Sequence, residues 1–404
     1  MKGSGPSTDN AVKAYKLKWI MFLDSLCFGL MYPYIPPYLV DLQGKQISAG
    51  ILVAFNLICS LISEDIAQYL ILVKGRKFAI YLIFMMSIFS HFLLITIPSI
   101  TVIVISRVFF TLINQANPYC KTLLSIITPE DTYEKEISEV KFFSSVAYVL
   151  GPLLGGYIFS VPGGFTIIGL LVSGITFANI LILLRIRCPN EKHDIEDFPD
   201  LIDRYVNNIE DNVDNFKNSN LSTTWPFVAT QFLFTVGWTV FFLKYVQILY
   251  FNFNARITMF GTTTAYQNFW MCVFTNITPR IKSEYLFDRN LFIVLDSSYM
   301  LFIVSLCVIC YTQELFYYWL AYITLILAKS IITSHWRELY NFNGNKSLIK
   351  LIPTINILSG IFTPLAFAYI CDLLCPSTVK FLSVTFVLMS FVVYLYFVRP
   401  RCIQ

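Results

Sequence analysis

Along the chain, long apolar stretches alternate with short polar breaks, and most stretches outrun the strands or core helices of a soluble domain. A helix needs about 20 predominantly apolar residues to cross the roughly 30 Å hydrocarbon core of a bilayer. Broken at polar, Pro and Gly punctuation, the sequence predicts twelve such spans: 19–40, 47–72, 77–97, 100–127, 138–160, 163–186, 225–251, 256–279, 289–312, 316–339, 348–373 and 377–398. The eighth, "ARITMFGTTTAYQNFWMCVFTNIT", is rich in Thr and Asn, and such a helix is expected to face a cavity or another helix. One long soluble stretch, 187–224, carries nine acidic residues and divides the chain. The pattern therefore predicts an all-α membrane protein. It runs as an N-terminal segment 1–18, a six-helix bundle 19–186, an acidic linker 187–224, a second six-helix bundle 225–398 and a tail 399–404.

Composition agrees with the pattern. With 56% hydrophobic and 13% charged residues, a chain of 404 residues has too few charges to cover a soluble surface. The first apolar run follows a polar, basic segment and precedes no small-residue cleavage site, so it reads as a retained span and not a signal peptide. With the N-terminus inside, 23 Lys and Arg fall in cytosolic segments, three in outer loops and three within spans. That bias predicts that both termini are cytosolic. The ten cysteines are scattered, and the close pairs Cys307/Cys310 and Cys371/Cys375 have no histidines at zinc-ligand spacing, so no metal is expected. A phosphate loop, a His-Glu-x-x-His run and a Gly-x-Ser-x-Gly elbow are all lacking, and no enzyme chemistry or cofactor is predicted. The basic residues follow membrane topology instead of forming a nucleic-acid patch.

The two halves look like weak repeats: "GPLLGGYIF" in the fifth span has a counterpart in "GIFTPLAFAYI" in the eleventh. Parallel halves around a midplane site are a transporter architecture. The first span carries Leu23-Asp24, Gly29-Leu30, Pro33 and Pro36. The fifth supplies Gly151, Pro152, Gly155 and Gly156, and "ISRVFF" places Arg107 in the fourth. Small residues let helices approach closely, and a proline bends a helix by removing one backbone bond. In this combination the chain resembles, over essentially its full length, the drug:proton antiporters of the major facilitator superfamily, particularly the tetracycline-efflux branch. Among animal relatives it is most similar to the orphan group called major facilitator superfamily domain-containing protein 9. The resemblance implies two bundles that rock around a midplane cavity, a gating role for the prolines and glycines just named, and a proton path through Asp24. The loop after span two keeps that superfamily's Gly75, Arg76 and Lys77, but Gln68 and Leu72 replace its usual glycine and gate-clamping acid. Thr111, Asn114 and Asn117 stand where relatives often have glycine, and Glu64 and Asp65 where a proline and neutral residues are usual.

A charge at mid-membrane costs a few kcal/mol, so each one needs a partner or a task. Asp24 lies roughly 8 Å from the inner face at about 1.5 Å per residue, as a proton-binding group of the cavity or as a hydrated acid that orients its helix. Arg107 counts to roughly 13 Å from it along the membrane normal, too far for a direct salt bridge, and is expected to bind an anionic group or a backbone carbonyl. Asp296 and Lys329 fall at similar depths on adjacent antiparallel helices and are predicted to pair, a substrate or proton role being the other reading. Lys244 has no acid at its level and either neutralises an anionic substrate or snorkels to the outer headgroups. Glu64 and Asp65 sit about 100° apart, so at most one faces the cavity, as a coupling group or a solvated one. Tyr266, Gln267, Asn268 and Trp270 combine stacking surface with hydrogen-bonding groups and are the predicted substrate contacts.

Three functional readings stay open at this point. One is a secondary active transporter of a small organic solute, with protons as the coupling partner. Another is an organic-anion uniporter or symporter that uses Arg107 and Lys244. The third is a non-transporting receptor or scaffold that uses 187–224 as a cytosolic partner site. The topology makes one prediction: the sequons at Asn220, Asn276 and Asn345 fall on the cytosolic side or at its membrane edge and carry no glycan. Glycosidase treatment should leave gel mobility unchanged, and a shift abolished by Asn220→Gln would overturn the orientation.

Overall fold

The structure, a computed structural model, describes residues 8–42, 46–113, 116–186, 221–253, 256–285, 291–342, 346–373 and 376–400. Most of the predicted acidic linker lies outside them. The first half holds α1 (Thr8–Met31), a 3₁₀ turn (Tyr32–Tyr34), α2 (Ile35–Asp41), α3 (Gln46–Lys74), α4 (Arg76–Thr96), α5 (Ile100–Ile113), α6 (Ala116–Ile127), α7 (Glu130–Phe159) and α8 (Gly164–Leu184). The second holds α9 (Leu221–Phe253), α10 (Ile257–Tyr285), α11 (Leu291–Tyr311), α12 (Leu315–Phe342), α13 (Lys346–Leu373), α14 (Pro376–Val393) and a π turn (Tyr394–Val398).

Among the described residues, eight helical stretches are long and apolar enough to cross a bilayer, and two shorter apolar ones lie at Ser48–Ser60 and Thr354–Ile370. The first and eighth predicted spans fall below that mark. α1 mixes Lys13, Lys16, Lys18 and Asp24 into its length and stops at Met31, while α10 is loaded with Thr and Asn. The long helices are apolar on both sides. On α4, Ile80, Ile83 and Phe84 are buried while Met85, Phe89 and Phe92 are exposed, the all-round apolarity of a helix that meets protein on one face and lipid on the other.

The helices form two compact units. The first draws on the described residues of 1–44, 58–203 and 257–269, the second on those of 45–57, 204–256 and 270–404. Each unit thus takes in one segment from across the acidic linker. Within the first unit, α1 packs on α7 and α8, and α4 packs on α8 and α5. Within the second, α9 packs on α13 and α14, and α11 packs on α14 and α12. These four pairings correspond in order between the units, giving the weak sequence repeat a structural counterpart. Even the polar pins correspond. Ser90 and Ser106 exchange hydroxyl-to-carbonyl bonds of 2.7 and 2.8 Å between α4 and α5, and the hydroxyls of Ser305 and Thr324 meet at 2.6 Å between α11 and α12.

Three local features set the first unit. Lys77 donates to the Ile186 carbonyl at 2.7 Å and Lys16 to that of Arg185 at 3.4 Å, placing cations on the negative end of α8. Gly75 makes the approach to that cap with a φ of 84°, a conformation that disfavours any side chain. Lys18 reaches Glu136 and Glu139 at 2.6 and 2.5 Å. Burial works against its charge, and the bonds from the two carboxylates outweigh that, holding the ammonium above its ordinary pKa.

The third feature is close approach. A Cβ on Gly151 would lie 2.6 Å from the Gly29 backbone, so α1 and α7 touch backbone to backbone. Gly151→Ala should therefore lower the unfolding temperature of the purified protein, at a cost of about 1–3 kcal/mol for overpacking. Gly174→Ala, in open space, should leave it unchanged in the same melting experiment.

Candidate functional site

The prolines of the first span do their local work at 32–34. α1 stops at Met31, the chain tightens through a 3₁₀ turn containing Pro33, and α2 resumes at Ile35. The turn delivers Tyr34 into the interior of the first unit, where it is fully buried. Its ring stacks on Phe159 at 5.4 Å and meets Phe260 edge-on at 5.8 Å, and its hydroxyl donates to the Pro152 carbonyl. Pro152 cannot donate to the carbonyl four residues back, that of Tyr148. Asn268 takes that place: its Nδ2 donates to the Tyr148 oxygen at 2.9 Å. The 257–269 segment of α10 is thereby seated on α7, with Gly261 against Gly156 so closely that a Cβ on Gly261 would lie 2.9 Å from the Gly156 Cα. The second unit repeats the theme, with Gly50 against Pro364 and Ala368 of the matching proline helix.

Beneath this junction the first unit encloses a cavity of about 190 Å³. Its wall takes Asp24 from α1, His91 from α4, Arg107 from α5, Asn117 from α6, Tyr148 from α7 and Thr176 from α8. Asn117 Nδ2 donates to Asp24 Oδ2 at 3.1 Å, so a residue that departs from the family's glycine holds the carboxylate in place. Across the wall, Arg107 and His91 flank Phe110: the guanidinium carbon lies 5.3 Å from the ring centre and the imidazole 5.2 Å. Both are buried, with 3% and 4% of their surface exposed. The serine pin explains their meeting, because Ser90 and Ser106 precede them directly in the chain. Arg107 Nε and Nη2 and Asn117 Oδ1 are buried without a hydrogen-bond partner. Asp24 and Arg107 share the cavity wall but form no ion pair with each other; the ion pairs among the described residues lie elsewhere.

The other predicted residues are distributed differently. Asn268 is committed to α7, Gln267 is buried, Tyr266 is half-buried and Trp270 stacks on Phe274 at 5.4 Å; none of the four lines this cavity. Gly155 packs against Leu30 and Tyr34 at the same junction. The expected Asp296–Lys329 pair is corrected. Asp296 Oδ2 binds Arg399 at 2.8 Å, and Lys329 Nζ lies 3.5 Å from the centre of the Trp238 ring. Depth counting set the two residues level, but α12 turns Lys329 toward an aromatic face of α9, and a ring's negative face receives an ammonium without a desolvated carboxylate. The side chains of Glu64, Asp65 and Lys244 lie outside the described residues. His91 escaped sequence reasoning, although a lone ionisable residue inside an apolar span was the signal for it.

A family model described as the Major Facilitator Superfamily matches residues 19–339, and the chain belongs to that family. The fold is similar to the crystal structure of the nucleoside transporter NupG, with TM-score 0.71 and 10% identity over 96% of this chain and 98% of that one. It is also similar to a bacterial homologue of the iron transporter ferroportin in its inward-facing state, with TM-score 0.72 and 12% identity over 96% and 98%. For the human organic anion transporter MFSD10 (TETRAN) the TM-score is 0.59, with 13% identity over 96% and 100%. No curated protein matches the sequence. At these identities the likeness establishes the fold, a multi-pass membrane transporter architecture.

If the cavity is reached from water, single cysteines placed at 24 and 107 in a cysteine-free background should react with a small water-soluble thiol reagent. Both positions sealed from both sides of the bilayer, under every condition tried, would remove the cavity from any transport path.

Proposed function

We propose that the protein is a secondary active transporter that exchanges a small organic solute for protons. Two six-helix bundles of a twelve-span chain, with both ends in the cytosol, would give alternating access. The observation that carries this reading is the presence of Asp24 and Arg107, opposite charges within predicted spans, on the wall of one cavity in a major facilitator superfamily protein. Ionisable groups inside a membrane are expensive and face water-filled paths or partners. Here the carboxylate has Asn117 and the guanidinium has the face of Phe110, which leaves both available to the cavity. Asp24 would carry the proton, and Pro33, Pro36, Pro152 and the glycines around it would let α1, α7 and α10 shift as packed elements. Placement in the drug:proton antiporter branch, near the orphan group noted above, is part of this proposal and rests on Asp24, Arg107 and the "GPLLGG" helix. The cavity, at about 190 Å³, is smaller than the roughly 300–1,000 Å³ pockets that hold drug-sized ligands, which supports a metabolite-sized solute.

Organic-anion uniport or symport is the second reading. The unpartnered nitrogens of Arg107 favour it, and one of the similar folds is that of an organic anion transporter.

Flux in proteoliposomes with and without a pH gradient decides between the readings. Asp24→Asn should leave expression intact and abolish gradient-dependent flux, while gradient-independent flux in the unmodified protein would favour the anion uniporter. No flux of any solute in a broad screen would sink both.

A further inference from the structure

The cavity wall of the first unit is polarised. On one side stand Arg107 and His91, next to each other around Phe110, with two buried guanidinium nitrogens without hydrogen-bond partners. On the other side stand the Asp24 carboxylate and the Asn117 amide oxygen, which is buried without a partner because the amide nitrogen is turned to Asp24. One side of the wall therefore carries a cation and the other an anion, with polar atoms that lack partners buried beside each. The two charges do not neutralise each other by contact.

Between the poles the wall is aromatic. Phe28 stacks on Tyr32 at 4.5 Å, Tyr148 meets Phe28 edge-on at 5.9 Å, and Phe110 lies under the guanidinium. A monoanion seated at Arg107 would share so small a space with the Asp24 charge and be repelled by it. A monocation at Asp24 would face Arg107 in the same way. A neutral solute would leave both charges desolvated and unmatched. A solute carrying both signs satisfies each pole at once.

We propose that this cavity binds a small zwitterion with a flat apolar body, its carboxylate-like group against Arg107 and His91 and its ammonium-like group against Asp24 and Asn117. The assignment rests on the cavity being the solute site of the transporter proposed above. It adds a reason for coupling: the solute's cationic group and a proton compete for one carboxylate, so loading one displaces the other.

The test is binding to the purified full chain in detergent, read as a thermal shift, with matched probes. Phenylalanine and 4-(aminomethyl)benzoate carry both charges, close together and far apart. 3-Phenylpropionate and 4-methylbenzoate keep the carboxylate alone, and phenethylamine and benzylamine keep the amine alone. At least one zwitterion should half-saturate the shift at a concentration tenfold or more below that of both its singly charged analogues. Asp24→Asn should erase that advantage over the carboxylate analogue, and Arg107→Gln should erase it over the amine. Failure of both zwitterions to reach that tenfold advantage, or no shift with either, overturns the assignment without any variant having to fold. Failure here is distinguishable from failure of the transporter reading. Zwitterion binding without flux leaves this site standing and sinks transport, whereas flux of another solute with no zwitterion binding does the reverse.

Discussion

Where α1 meets α7 the two backbones are in contact, Gly29 against Gly151, with no room for a side chain on Gly151. In a membrane, packing of this kind replaces the hydrophobic drive between helices, because lipid tails are as apolar as leucine. That single approach fixes what stands above and below it. Above, it brings Tyr34 to the Pro152 carbonyl and opens a seat for Gly261 on Gly156. Below, it holds Asp24 and Tyr148 on the wall of one cavity. A proline one residue from the contact frees a carbonyl that hydrocarbon would leave stranded, and Asn268 supplies the missing donor. The backbone contact, the proline helix and the polar site are therefore consequences of one another.

Two cations inside apolar helices, the buried Arg107 and the half-buried Lys329, share a solution. Arg107 rests on Phe110 and Lys329 on Trp238, and neither is in an ion pair with a carboxylate. An aromatic face attracts a cation without requiring a second ion to be desolvated, a pairing that costs about as much as it returns in a low-dielectric interior. It also leaves the cation's charge unspent. A chain with 17% aromatic residues has this option at many positions, and the two units use it at different places in otherwise corresponding helices.

The helices themselves were legible because apolar run length and proline or glycine punctuation act locally. "GPLLGG" announced a close-packed helix, and its likeness to "GIFTPLAFAYI" announced the repeat that the matching helix pairs display. What depended on register across distant segments was not legible. Asp296 was assigned a partner by depth alone, yet it binds Arg399, about a hundred residues on and past the final helix. His91 becomes part of a site only because the Ser90–Ser106 pin sets α4 against α5, and no spacing within one helix encodes that. Asn117 stood out as a missing glycine; its use as a donor to Asp24 required knowing that α6 faces α1.

The π turn at Tyr394–Val398 gives the Asp296–Arg399 bond an unusual origin. The Arg399 amide reaches back five residues to the Tyr394 carbonyl, so the last turn accommodates one residue more than an α-helical turn would. In a regular helix that surplus residue would swing the guanidinium through roughly 100° around the axis, away from α11. The acid–base link is therefore written as an insertion. Winding that turn as a regular helix at unchanged chain length would break the link without altering either charged residue, which makes the local winding, and not residue identity alone, the quantity under constraint.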